Sequence, residues 1–301
     1  MSLLRTELLR ARSRRSVLAL LLAGFLLTIG LGAAAAWDAR PYSADETAQA
    51  ETRAQKEFDR CERQVEKRKD SSRQCKMRVH TWQYDRWRDP LDDQRVEGHT
   101  VTLAVGLMLV GALMGASFVG GEYSSGSMSN LLVFESRRTR VWLAKLSAIG
   151  LVGILWAAVC FGAYVAGLVA LGRSWDLDAW PPNWIGAMSW LGVRGAIVAA
   201  AGAVIGAALT LAVRSTTAAI GVVFGYVLLV EGVARIAFGA PIIEYALSSR
   251  ILGVLHGSYR TETTQLETIR VTLQDSAIML LGVSIVLCAI SLVTFRRRDI
   301  D

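Results

Sequence analysis

Few residues of this 301-residue chain have the type and spacing that chemistry requires. His80, His99 and His256 are far apart, and no H-E-x-x-H puts two imidazoles on one helix face for zinc. There is no G-x-x-x-x-G-K-[ST]. Gly120, Gly121 and Gly126 lack the lysine that reaches nucleotide phosphates, so the chain has no P-loop. No G-x-S-x-G marks a serine nucleophile. Three groupings remain. Cys61 and Cys75 share a polar stretch, Arg194, Glu231 and Arg235 interrupt apolar ones, and Gly120–Lys145 joins glycines, an apolar run and a basic cluster. This last segment reads GGEYSSGSMSNLLVFESRRTRVWLAK. Its chemistry is that of a contact surface: Leu131, Leu132 and Phe134 suit an apolar groove, with Glu122, Glu135, Arg137, Arg138 and Arg140 for charged contacts at the rim. A plainer reading stands beside it, a solvated basic loop that only fixes topology.

Composition dictates the elements that position these residues. The chain is 52% hydrophobic and 20% charged, with mean hydropathy +0.36, and its charge is confined to a few stretches. Between them lie apolar runs of about 20 residues, enough to cross about 30 Å of hydrocarbon. Period-two alternation is absent, and Leu, Ala, Val and Gly suit helices that satisfy their own backbone hydrogen bonds. The expected fold is an all-α integral membrane protein with six spans, at residues 16–37, 99–119, 146–171, 184–213, 216–238 and 275–295. Gly106, Gly111 and Gly115 in the second span, and Gly150, Gly153, Gly162 and Gly167 in the third, would let neighbouring helices approach closely. Trp175, Trp180 and Trp184 are expected at the membrane–water boundary. Cys160 and Cys288 fall inside apolar runs and read as small packing residues.

Residues 1–15 alternate leucine pairs with Arg5, Arg10, Arg12, Arg14 and Arg15, the pattern of an amphipathic helix lying on the inner membrane surface near anionic headgroups, with a plain stop signal of positive charge before the apolar run as the alternative. The first apolar run exceeds the h-region of a secretory signal, so a retained helix is expected, with cleavage near Ala34 and Ala36 as the alternative. Residues 38–98 read as an extracytoplasmic helical hairpin: Phe58, Cys61 and Val65 form one stripe, Cys75, Val79 and Trp82 another, with a break at 69–72. In oxidising surroundings Cys61 and Cys75 on facing stripes would pair, closing a loop worth about 3 kcal/mol. No histidines at ligand spacing favour zinc there. Residues 239–274 form an outer segment too short and interrupted to span, expected to dip into the leaflet or lie on it.

A charge at mid-bilayer costs about 2.5–3.5 kcal/mol, so Arg194, Glu231 and Arg235 need partners or water. Two readings stand: snorkelling near the outer boundary with Glu231 and Arg235 as a local pair, or a place in a transport pathway. The net charge of +7 does not point to nucleic acid, because the arginines gather at membrane flanks. With six spans, Arg14, Arg15, Arg137, Arg138, Arg140, Arg214 and the tail at 296–301 fall on one side, which the positive-inside rule makes cytoplasmic. Both termini are then cytoplasmic in a cell membrane, and 120–145 is a cytoplasmic region between the second and third spans.

The run Glu122, Gly126-Ser127, Leu131-Leu132, Ser136-Arg137 and Lys145 resembles the cytoplasmic loop of ABC-2 type transporter permeases. The ending Phe295-Arg296-Arg297-Arg298-Asp299, the six spans and the segment before the last span are similar to that family too. The sequence departs from it with Ser127 for Thr and Phe134-Glu135 where Pro is common. The 38–98 loop exceeds the family's minimal plan. The resemblance implies a non-catalytic permease that pairs with a second permease copy or homologue and with two separate P-loop ATPase subunits, which hold ATP and Mg. It implies a coupling helix at 120–145, docked in the ATPase through Glu122, Leu131, Leu132, Phe134, Arg137 and Arg138, and tilting of the spans during alternating access. Export of a hydrophobic or amphipathic substrate is the expected function. A membrane anchor or sensor with an outside ligand-binding hairpin, and an intramembrane enzyme, are the alternatives.

Overall fold

A computed structural model describes residues 3–39, 44–68, 94–135, 137–174, 184–234, 237, 244–262 and 268–297. Helix α1 (Leu3–Ser13) turns at Arg14 into α2 (Arg15–Ala39); α3 (Ala44–Arg68) follows, then α4 (Gln94–Ser124), α5 (Ser127–Phe134), α6 (Arg138–Ser174) and α7 (Trp184–Val213). α8 (Thr216–Tyr226) continues into a π-helical stretch, Val227–Ala234. A short helix, α9 (Leu247–His256), leads into antiparallel strands β1 (Ser258–Glu262) and β2 (Thr268–Thr272), and α10 (Leu273–Arg297) ends the described chain. Six of these helices are long and apolar enough to cross a membrane, at Arg15–Trp37, Gly98–Ser124, Arg138–Leu171, Ile185–Val213, Thr216–Val233 and Leu273–Arg297. The protein is an all-α integral membrane protein.

The chain divides into two compact units, one comprising residues 1–31, 100–165 and 185–301 and the other 32–99 and 166–184. In the second unit α3 carries Phe58, Cys61 and Val65 on one helix. Cys75, Val79, Trp82 and the break at 69–72, the rest of the expected hairpin, lie outside the described residues, as do Trp175 and Trp180. The pairing of Cys61 with Cys75 therefore stays an expectation. Cys160 and Cys288 are free thiols.

Small residues organise the first unit. Gly111 and Gly115 on α4 pack on the backbone of Ala199 and Ala203 of α7, and Gly202 and Gly206 on α7 pack on that of Met108 and Ala112 of α4. A Cβ at Gly111 would meet the Ala199 carbonyl oxygen at 2.6 Å, and Cβ atoms at Gly115 and Gly206 would overlap the carbonyls of Ala203 and Ala112. The two backbones are in direct contact, as a small-x-x-x-small pattern on each helix permits. Gly153 brings α6 against Ala200 and Ala203 of the same α7 face. Gly162 and Gly167, expected in the same role, have no packing neighbour within 4 Å among the described residues.

The span bounds differ most from the sequence reading at the start of the third span. The third span starts at Arg138, not near residue 146, because a helix continues through a basic, amphipathic turn that hydropathy alone cannot separate from a loop. The segment 239–274 holds a two-stranded hairpin beside its short helix. α10 then opens on a Thr272 N-cap, whose Oγ1 accepts from the Asp275 amide at 3.3 Å and donates to the Asp275 carboxylate at 2.7 Å.

Candidate functional site

One end of the first unit gathers α1, the end of α4, α5, the start of α6 and the end of α10. Its core is apolar: Phe118 and Val119 of α4, Met128 and Leu131 of α5, Val141 and Trp142 of α6 and Phe295 of α10 are all buried. The Trp142 indole donates to Ser291 Oγ at 3.1 Å. Arg138 donates to the carbonyls of Phe295 (3.4 Å) and Arg296 (3.2 Å), placing a cation at the negative end of α10.

Beside this core runs a string of alternating charge. Glu7 (0% exposed) accepts from Arg10 at 2.9 Å and from Lys145 at 3.0 Å. Lys145 (0% exposed) also bonds Glu122 (1% exposed), whose other oxygen lies 3.1 Å from Arg14. Read in order, Arg10, Glu7, Lys145, Glu122 and Arg14 alternate in sign, so each buried carboxylate has two cations and the buried ammonium two carboxylates. A buried charge is tolerated on those terms alone. The Phe118 ring closes the site, with the Arg14 guanidinium 5.4 Å and the Lys145 ammonium 5.6 Å from its centroid.

Local sequence explains why these groups meet. Glu7 and Ala11 are one turn apart on the buried face of α1, and Arg14, ending that face, passes its carbonyl to Leu18 at the start of α2. Gly121, next to Glu122, lies flush against the Arg14 guanidinium with no room for a Cβ. Gly120 is similarly pressed on Thr216. These glycines are close-approach positions within a helix. Of the three glycines in this segment, Gly126 (φ 67°) adopts a left-handed turn, the one that separates α4 from α5.

The residues expected on a docking surface divide accordingly. Phe134 is 90% exposed and its neighbour Val133 80%, on the last turn of α5, with Arg137 exposed beside them. Glu122 faces inward, held by Lys145 and Arg14, and Leu131 is in the apolar core. Leu132 is half-buried against the same core, and Arg138 is engaged on α10. Glu122 and Leu131 are thus buried within the unit rather than presented on its surface. Sequence spacing does not mark Glu7, Arg14 and Lys145 as a site, although Glu7 carries a signal: it is the sole acid before Asp38.

The intramembrane charges take a different place. Glu231, within the π-helical stretch, accepts from the Ser248 amide (2.9 Å), Ser248 Oγ (2.6 Å) and Tyr226 Oη (3.2 Å). Tyr226 Oη in turn accepts from the Leu247 amide at 3.0 Å. Arg194 donates to the Leu255 carbonyl at 3.1 Å and stacks on Trp190. An anion from the fifth span thus sits at the N-terminus of α9 and a cation from α7 at its C-terminus, each matching the helix dipole. Arg235 lies outside the described residues.

A family model described as ABC-2 family transporter protein matches residues 1–300 of the chain. No curated protein is significantly similar to it.

Proposed function

Because the chain belongs to the ABC-2 family of transporter proteins, a transmembrane permease is the premise, and we propose that it is the membrane subunit of an ATP-driven exporter. It carries a hydrophobic or amphipathic substrate by alternating access and works as a pair of permeases with two separate ATPases that hold ATP and Mg. The charged end of the bundle then faces the cytoplasm, with both termini, in a cell membrane. The arginine-rich ends of α1, α6 and α10 at that end support this orientation.

The observation that carries the reading is α5. Its inner face is fixed in the core by Met128 and Leu131, while Val133 and Phe134 are left exposed side by side, a pair of large apolar side chains that a partner would cover. An ATPase groove supplies that cover, with Arg137 at its edge. Motion received at α5 is passed to α4 and α6 through the apolar core, and to α1 through Lys145 and Glu7. Chemistry at the nucleotide stays on the partner; this chain contributes the lever.

The test is co-purification with co-expressed P-loop ATPases. Val133→Asp with Phe134→Asp abolishes association while the permease still inserts and folds. Retained association would remove α5 as the dock. Leu131 is unsuitable for this purpose, because an aspartate there disrupts the core itself.

A further inference from the structure

We infer that Arg194 and Trp190 form a binding site for the phosphodiester of a phospholipid, in the leaflet at the end of the first unit remote from α5. Depth is the first reason. From Arg194 to Val213, where α7 ends beside Arg214, the helix rises about 28 Å. The hydrocarbon of a bilayer is about 30 Å thick. With Arg214 at one boundary, Arg194 therefore lies at the other, at the level of the lipid phosphates.

The exposed face of α7 has the order of polarity of a lipid molecule. Trp190 (58% exposed) stands one turn further from Val213 than Arg194, at headgroup level, where an amphipathic indole is favoured. Val193 is exposed level with the cation, and Ile197 is exposed one turn deeper, against the acyl chains. A cation on such a face needs a counter-ion. Among the described residues no carboxylate pairs with Arg194.

The guanidinium is also held in place. It stacks on the Trp190 ring, 5.4 Å from the centroid, and Nη1 donates to the Leu255 carbonyl at 3.1 Å. Gly257 lies against its other side: a Cβ there would stand 3.0 Å from Nη1 and 3.6 Å from Nη2, and the left-handed φ of 80° favours glycine as well. A snorkelling arginine keeps its rotamers and must lose that freedom on binding, whereas this one is already fixed. Guanidinium has five N–H donors in one plane. Among the described residues the Leu255 carbonyl is its only hydrogen-bond acceptor, so further donors are left for an acceptor from outside the chain. Phosphate matches that planar fork, and at this depth a phospholipid supplies it. Which leaflet this is rests on the orientation proposed above. The test depends neither on that orientation nor on an ATPase or transport.

The full-length protein in detergent is mixed, below saturation, with a phosphatidylglycerol that carries a diazirine in one acyl chain. After illumination, peptide mass spectrometry reads adducts on α7 around 193–197, with the exposed Ile285 region of α10 as the reference for non-specific contact. Arg194→Gln is expected to lower α7 labelling about tenfold, as loss of a charge-assisted bond implies, while α10 labelling stays constant. Arg194→Lys keeps the charge without the fork and still lowers it at least about threefold. Trp190→Leu leaves the Leu255 bond in place, acts in the same direction by about threefold, and serves if the Arg194 variants do not fold. Arg173→Gln, at an exposed arginine ending α6, leaves labelling within about twofold. Unlabelled dioleoyl phosphatidylglycerol competes, whereas dioleoylglycerol and inorganic phosphate do not. Equal labelling of α7 and α10 in every variant means an unspecific lipid annulus and overturns the site. Full labelling in Arg194→Lys overturns the role of the fork, and competition by inorganic phosphate or by dioleoylglycerol overturns the phospholipid as occupant.

Discussion

Replacing Lys145 by Met removes the cation shared by two buried carboxylates. Breaking a buried pair typically costs about 3–5 kcal/mol. Here Glu7 keeps Arg10 and Glu122 keeps Arg14, so the lower bound applies and about 3 kcal/mol is expected. Glu7→Gln loses one buried and one partly exposed bond, and about 2 kcal/mol follows. Made together, the two changes should cost about 1.5–2 kcal/mol less than their sum, because each removes the partner the other leaves stranded. Reversible unfolding in a detergent titration gives the four stabilities of this cycle. It is repeated at low and high salt, where the buried Glu7–Lys145 coupling should hold. Additive losses within about 0.5 kcal/mol would mean that α1 is not tied to α6 through these charges, and the route from α5 to α1 would fail with it.

Other consequences are open to measurement. Gly206→Ala drives a methyl into the Ala112 carbonyl and is expected to destabilise by about 1–3 kcal/mol, whereas Gly162→Ala, with nothing within 4 Å, is neutral or stabilising by up to about 1 kcal/mol. The same unfolding assay compares them, and equal effects would contradict the backbone contact of α4 with α7. Trp142→Phe keeps the ring in the core and loses the bond to Ser291, for about 1 kcal/mol. A loss above about 3 kcal/mol would show that the indole does more than that bond. Val133→Asp with Phe134→Asp leaves unfolding within about 0.5 kcal/mol of the native protein while removing ATPase association, since both side chains are exposed. Destabilisation of the isolated permease would place them in its own packing instead.

The spans were legible because a bilayer imposes a length and a composition that survive in any apolar helix. The glycine spacing of Gly111 and Gly115 also predicted close packing, though not that α7 would answer with Gly202 and Gly206. Charge was harder. Arg194 and Glu231 stood out as costly, but their partners are the two ends of a short helix 16 or more residues beyond Glu231, and spacing along one chain does not disclose a bond to a backbone amide or carbonyl. Arg138 and Lys145 were read as part of a polar loop, because hydropathy gives the same score to a loop and to a helix end that meets its charges elsewhere. The strands at 258–262 and 268–272 escaped for want of length: five residues of mixed polarity carry too little alternation to be distinguished from a loop.

The contact between α4 and α7 has a mechanical result. Two helices separated by long side chains can slide by rotamer changes, but helices in backbone contact have no such cushion. α4 carries Glu122 in its last turn and α7 carries Arg194, so the charged string and the cap of α9 are mounted on one stiff beam. Tilting it moves both mounts together. The small residues along this seam thus set how far apart two remote events can be and still occur as one.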